Sequence, residues 1–202
     1  AALLCKVVGT TGTSVLLALG AYGAVVLAGL AIHLVLTYGL VVKFGAKLPF
    51  TGYLRAIRPA QLLAFSTSSS SATLPVTKEC VEESMGVSPE VSSFVLPLGA
   101  TVNMDGTALY QGVAALFIAQ IYGMDLGLSE QVTIVVSATL ASVGAAGVPG
   151  AGMVTLAMVL TQIGVPTEGL ALILGLDRLL DMFRSATNVT GDGTATVFMA
   201  RL

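Results

Sequence analysis

The sequence predicts an all-α membrane protein built as an inverted repeat, in which a re-entrant helical hairpin followed by a broken transmembrane helix occurs twice. Three observations carry this expectation. Of 202 residues, 55% are hydrophobic and 10% charged, with mean hydropathy +0.92, a composition of chains that sit in lipid. No Asp, Glu, Lys or Arg lies between Lys6 and Lys43, or between Glu130 and Glu168, and both runs exceed the ~20 residues that span a bilayer. Asp177, Asp181, Arg184, Asn188 and Asp192 fall within roughly 80° of arc on one helix face. Charged groups at membrane depth cost at least ~2.5 kcal/mol each, so this stripe reads as a functional site facing protein or water. A structural Asp–Arg clamp between helices is the alternative, although five polar groups exceed what one clamp needs.

The bulk numbers make the chain one membrane unit. Its net charge of −2 comes from scattered residues, which offers no surface for nucleic acid. Cys5 and Cys80 are far apart and form neither metal-ligand spacing nor a disulfide framework. No signal peptide is visible and the sequence starts on Ala1, so it reads as part of a longer protein.

Taken in order, residues 1 to 15, with Gly9 to Thr13 between apolar flanks, read as a loop and helix end. From about Ser14 to Val42 one spanning helix is expected, its Gly, Ala and Leu mixture suited to close packing. Its His33 is either a proton relay or an imidazole packed against another helix. Residues 1–47 together form a loop and a linking helix, and 48–202 the core. Lys43, Lys47, Arg55 and Arg58 place the end of this span in the cytoplasm by the positive-inside rule.

Residues 59 to 77 are uncharged and contain the run Ser66 to Ser71, then Ala72, Thr73, Leu74 and Pro75. Hydroxyl side chains compete for the backbone and Pro removes a donor, so this run is a poor helix interior. With Lys78, Glu79, Glu82 and Glu83 following at once, it reads as the tip of a cytoplasmic hairpin over about 50–86, its irregular backbone satisfied inside protein. A second span over about 91–122 is interrupted by Gly99-Ala100-Thr101-Val102-Asn103-Met104-Asp105-Gly106-Thr107. Such residues unwind a helix and free carbonyls that, with a carboxylate, replace the hydration shell of a hard cation such as Na⁺.

Residues 131 to 167 are neutral but cut in half by Ser142 to Gly152, rich in Gly and containing Pro149. Neither half spans, so a second hairpin over about 129–164 is expected, entering from outside. The polar-stripe helix over about 169–201 returns inward and puts Arg201 on the positive side. A hairpin returns to its own side and the next helix crosses, so the two copies have opposite orientation. Paired interrupted segments in two halves point to a midplane binding site of a transporter.

Four segments carry a resemblance: Ser68-Ser69-Ser70-Ser71-Ala72-Thr73-Leu74-Pro75, Asn103 to Thr107, Gly144 to Gly152, and Asp177 to Asp192. In order and over roughly residues 60 to 200, they resemble the signature segments of the glutamate transporter family. That family comprises dicarboxylate and amino-acid:cation symporters, among them archaeal aspartate transporters and animal excitatory amino-acid transporters. The resemblance implies the transport-domain portion of an elevator transporter, a domain that carries substrate and ions against a trimeric scaffold. It further implies a multi-pass protein of the plasma or inner membrane, surrounded by lipid and binding no nucleic acid, and a carrier with no enzymatic activity and no organic cofactor.

Residue by residue, the resemblance gives Arg184 to the side-chain carboxylate of an acidic amino acid, for which a guanidinium fork is suited. Asp181 would take the α-ammonium. Asn188, Ser70 and the hairpin backbone near Val148 and Gly152 would hold the α-carboxylate, with Thr107 and Ser185 beside the substrate. One Na⁺ site would use carbonyls of Gly99, Asn103 and Asn188 with the Asp192 carboxylate. A second would lie between carbonyls of Thr101, Ser142, Val143 and Ala145, and a third would involve Asn103 and Asp105. Apart from the resemblance, Asp181 and Arg184 one turn apart match the ammonium and distal carboxylate of such a substrate, and a plain dicarboxylate would have no use for Asp181.

Archaeal members carry Arg at the position of Ser68 and animal members at that of Met182, and position 185 is Ser where Thr is usual. This chain has Arg178 instead, about 40° from Asp192 around the helix; it either replaces the missing guanidinium or is a packing or interfacial Arg. Aspartate-versus-glutamate preference and potassium counter-transport stay open. The first half of the family fold, with most of the scaffold, is missing, so the expectation is that this piece cannot transport alone. Rival readings are an intramembrane serine hydrolase, for which no base accompanies the Ser run, a proton-coupled carrier using Asp105 and Asp192, and a C4-dicarboxylate carrier.

Overall fold

The computed structural model describes residues 14–202. The expected loop over residues 1–13, and Cys5 with it, lie outside the described residues. Every regular element among the described residues is helical.

Helix α1, Ser14–His33, continues through two wider π turns, Leu34–Tyr38 and Val41–Gly45. The stretch Leu16–Gly45 is the one helix among the described residues long and apolar enough to cross a membrane by itself. Helices α2, Phe50–Thr67, and α3, Ser70–Met85, pack against each other as a hairpin whose turn is only Ser68 and Ser69. The interruption is thus narrower than the hydroxyl run suggested, and Ser70 to Pro75 are helical. The reason is that the hydroxyls serve the helix. Ser69 caps α3 by accepting from the Ala72 amide at 3.1 Å, and Thr73 and Thr77 donate to the carbonyls of Ser69 and Thr73.

Helices α4, Pro89–Val102, and α5, Asp105–Ile121, are separated only by Asn103 and Met104. Helices α6, Leu128–Val143, and α7, Ala151–Gln162, form the second hairpin. Between them run Gly144 to Gly150, the last with φ +80°, a conformation that costs glycine little. A 3₁₀ turn, Thr167–Gly169, leads into α8, Leu170–Met199.

Helix α8 is continuous over 30 residues, which corrects the expectation of a broken helix in the second copy. Its glycines serve close approach instead of unwinding. A Cβ on Gly193 would lie 2.8 Å from the Tyr53 hydroxyl and 2.9 Å from Ile57, and one on Gly191 would collide with Tyr38. Thr187, Thr190, Thr194 and Thr196 each donate to a carbonyl one turn back, so their hydroxyls are satisfied within the helix.

Two apolar cores result. One gathers α1, α5, α6 and α7 with Ile173 and Leu180 of α8. The other gathers the end of α1, α2, α3 and α4 with Val189 and Val197. Both α4–α5 and α8 pass from one core to the other. Their polar segments, 103–107 and 181–192, therefore meet where the cores adjoin.

Candidate functional site

The hairpin tips touch at this junction. Ser69 donates through Oγ to the Gly147 carbonyl at 2.7 Å, and the Ser71 amide donates to the same oxygen at 3.2 Å. A Cβ on Gly147 would lie 2.6 Å from Ser71 Oγ, so glycine is what allows this approach. Beneath the tips is a small cavity lined by Ser70, Thr107, Val148, Gly152, Asp181, Ser185 and Asn188. Seven of the eight residues expected around a substrate thus share one space. It has room for the centre of about one water molecule, so a larger molecule requires the tips to part.

Arg184, the eighth, is not on the cavity wall but lies directly behind Gly152, and is 1% exposed. Its Nη2 donates to Asp181 Oδ1 at 2.7 Å and lies 3.2 Å from Asp177 Oδ1. The guanidinium carbon sits 3.7 Å from the centre of the Tyr110 ring, a cation–π contact on a side chain with no exposed surface. A Cβ on Gly152 would come within 3.1 Å of Nη1, so the absence of a side chain at Gly152 lets the guanidinium pack directly behind the cavity wall. Nε and Nη1 are buried without an acceptor. A buried donor left unmade costs about 1–3 kcal/mol or more when charged, so these two atoms call for an anionic oxygen. Asp181 Oδ2 accepts from the Gly150 amide at 3.0 Å, which ties α8 to the second tip.

Asn188 joins the two crossing helices. Its Oδ1 accepts from the Gly106 amide at 2.8 Å and its Nδ2 lies 3.2 Å from Thr107 Oγ1, so a side chain of α8 satisfies an amide at the start of α5. One helical turn on, Asn103 Nδ2 donates to Asp192 Oδ1 at 2.9 Å and to the Asn188 carbonyl at 3.2 Å. A Cβ on Gly99 would lie 2.8 Å from Asp192 Oδ1. Gly99, Asn103, Asn188 and Asp192 thus meet around a single carboxylate, residues whose oxygens are of the kind that suits a hard cation.

The remaining cation residues are less gathered. Asp105 turns to α1, where Oδ2 accepts from the Tyr38 hydroxyl at 3.1 Å and lies 3.1 Å from His33 Nε2. His33 thus packs against another helix with a named partner. Ala145 is buried on the cavity wall and its amide donates to the Ser142 carbonyl at 3.0 Å. Thr101 is exposed and bonds within its own helix, and Val143 is 42% exposed. No hydrogen bond ties Thr101 to Ser142, Val143 or Ala145 among the described residues, although a Cβ on neighbouring Gly147 would lie 3.1 Å from the Ala100 carbonyl.

Arg178 is exposed and makes no ion pair among the described residues. It does not replace a guanidinium in the site, because it lies about 100° around α8 from Asp177 and faces away. Asp177 and Asp181 go to Arg184 instead. Sequence reasoning left Asp177 without a role and passed over Tyr110 and Gln111. Gln111 bonds through Nε2 to Thr155 Oγ1 at 2.5 Å, joining α5 to α7. The signal for both was their spacing of three and four from Thr107, which puts them on its face of the helix.

The profile of the sodium:dicarboxylate symporter family matches residues 1–202. Excitatory amino acid transporter 3 of Mus musculus is 52% identical over 188 residues, covering 91% of this chain and 35% of that protein. The excitatory amino acid transporter of Caenorhabditis elegans is 49% identical over 174 residues, 86% of this chain and 35% of that protein. Excitatory amino acid transporter 5 of Homo sapiens is 46% identical over 184 residues, 91% of this chain and 33% of that protein. The chain spans about a third of the length of the curated relatives that it matches. Those relatives are transporters by name.

Proposed function

Because the chain belongs to the sodium:dicarboxylate symporter family, we propose that it is the substrate-carrying part of a Na⁺-coupled symporter for acidic amino acids. The observation that carries this reading is Arg184, a buried guanidinium with two donors facing no acceptor, bonded to Asp181 and packed against Gly152, both on the wall of the cavity between the hairpin tips. A carboxylate of the substrate satisfies Arg184. Asp181 takes the ammonium through the second lone pair that each of its oxygens retains. Asn188, Ser70 and the backbone near Val148 and Gly152 hold the other carboxylate, with Thr107 and Ser185 beside it.

The cargo cation is held by Gly99, Asn103, Asn188 and Asp192, whose closeness supports a Na⁺ site. Further cations are assigned to Thr101, Ser142, Val143 and Ala145, and to Asn103 and Asp105. The tip-to-tip contact must open for substrate to enter, which makes the second hairpin the gate. In the whole protein this unit moves as an elevator against a trimeric scaffold in the plasma or inner membrane.

The test is uptake of L-aspartate by the full-length protein in liposomes, with sodium and pH gradients imposed separately. Uptake that follows sodium alone supports the reading, and uptake that follows pH alone assigns Asp105 and Asp192 to protons and overturns it. One observation favours a second substrate class. Both Asp181 oxygens already have protein partners, as a C4-dicarboxylate would leave them. Competition by succinate stronger than by aspartate would select that class.

A further inference from the structure

A groove of about 490 Å³ runs beside the first hairpin, with Arg55 and Arg58 at one end and Leu62, Phe65 and Ala186 along its wall. At Gln61 and Ala186 it meets a second groove of about 290 Å³, which continues along Leu27, Ala31 and Leu34 of α1. The two arginines stand three residues apart on one face of α2, both exposed, and neither has a carboxylate within ion-pair distance among the described residues.

We propose that these joined grooves bind one anionic phospholipid, its phosphate between Arg55 and Arg58 and an acyl chain along α1, α2 and α8. This rests on the membrane embedding given under the proposed function and on the orientation that Lys43, Lys47, Arg55 and Arg58 give by the positive-inside rule. Charge and length argue for that occupant. Guanidinium groups bind phosphate oxygens through paired charge-assisted hydrogen bonds, and basic pockets between membrane helices on the cytoplasmic side suit anionic headgroups. The positive-inside rule puts the arginine end at the cytoplasmic surface. From Arg55 to Phe65 the helix rises about 15 Å, half of the ~30 Å hydrocarbon core and so the depth of one leaflet. A soluble phosphate would use the arginines and leave the apolar wall bare.

Native mass spectrometry of the full-length protein, incubated with equal amounts of phosphatidylglycerol and phosphatidylcholine, tests it. Phosphatidylglycerol is expected to be retained preferentially. The double substitution Arg55→Gln and Arg58→Gln lowers that retention by about thirtyfold, as removal of two basic residues at an anionic surface should, while Arg55→Lys with Arg58→Lys keeps most of it. Ala31→Trp, which leaves the arginines and fills the second groove, lowers retention as well. Equal retention by the Gln variant or by Ala31→Trp overturns the proposal. So does displacement of the lipid by glycerol 3-phosphate alone, or absence of bound lipid because another segment of the full chain fills the grooves. Sodium-driven aspartate uptake by the same preparations separates the two readings, since uptake without retained lipid sinks only the lipid site and retained lipid without uptake sinks only the transport reading.

Discussion

Arg184 concentrates the charge of the site, with Asp177 and Asp181 on one side, Tyr110 beneath, and two donors left for a ligand. Replacing it with Ala leaves two carboxylates in the interior without a counter-charge, which costs about 3–5 kcal/mol. In the full-length protein Arg184→Ala is therefore expected to lose both stability, read by thermal unfolding, and L-aspartate binding, read by calorimetry in sodium. Adding Asp177→Asn should restore part of the stability and none of the binding. Recovery of binding would mean that the arginine is a clamp between helices and nothing more. At Gly99 two effects oppose each other. Alanine favours a helix by up to about 1 kcal/mol over glycine, but its Cβ would stand 2.8 Å from Asp192 Oδ1 and push the carboxylate aside. Gly99→Ala is expected to change the melting temperature little and to raise the half-saturating sodium concentration for aspartate uptake by about tenfold, ~1.4 kcal/mol. An unchanged sodium dependence would remove Asp192 from the cation's oxygens. The polar stripe was legible because a helical period of 3.6 needs nothing beyond the chain itself. Tyr38, whose hydroxyl reaches Asp105 from α1, was not, because no local pattern says which aromatic residue of one helix meets a carboxylate of another.

Hairpins and breaks follow from composition, but their extent follows from partners. The runs Ser66 to Ser71 and Gly144 to Gly152 both signalled chain reversal, and the chain does interrupt its helices there. What composition did not give was that Ser69 would cap α3 and so hold the first turn to two residues. Nor did it give that the glycines of α8 would admit Tyr38 and Tyr53 instead of breaking the helix. A glycine marks either a bend or a close neighbour, and only the packed structure decides which. The same Ser69 hydroxyl that caps α3 also holds the other tip through Gly147. Ser69→Ala removes a cap worth about 1 kcal/mol and a hydrogen bond worth about as much net. A stability loss of about 2 kcal/mol is expected, with faster hydrogen exchange at residues 145–151 and no change in the middle of α8. Unchanged exchange at the second tip would show that the two hairpins are held together by something else.

At the scale of the whole molecule, each apolar core belongs to one hairpin, and the crossing helices connect the two. This arrangement makes a definite demand on orientation. If the hairpins enter from opposite sides, the loop between α3 and α4 and the loop between α5 and α6 must face opposite compartments. The charges agree with that, since Lys43, Lys47, Arg55, Arg58 and Lys78 accompany the first hairpin while Asp125 and Glu130 stand alone before the second. A single cysteine at position 78 or at position 125, in the full-length protein with Cys5 and Cys80 replaced by Ser, reads this directly. Lys78→Cys is expected to react with a membrane-impermeant maleimide only from the cytoplasmic face, and Asp125→Cys only from the opposite face. Labelling of both from one side would mean that the hairpins enter from the same surface. Opposite entry also fits the lengths, since each hairpin then needs about half of a ~30 Å core for the tips to meet at Gly147, within the about 24–27 Å that α2 and α3 each span by helical rise.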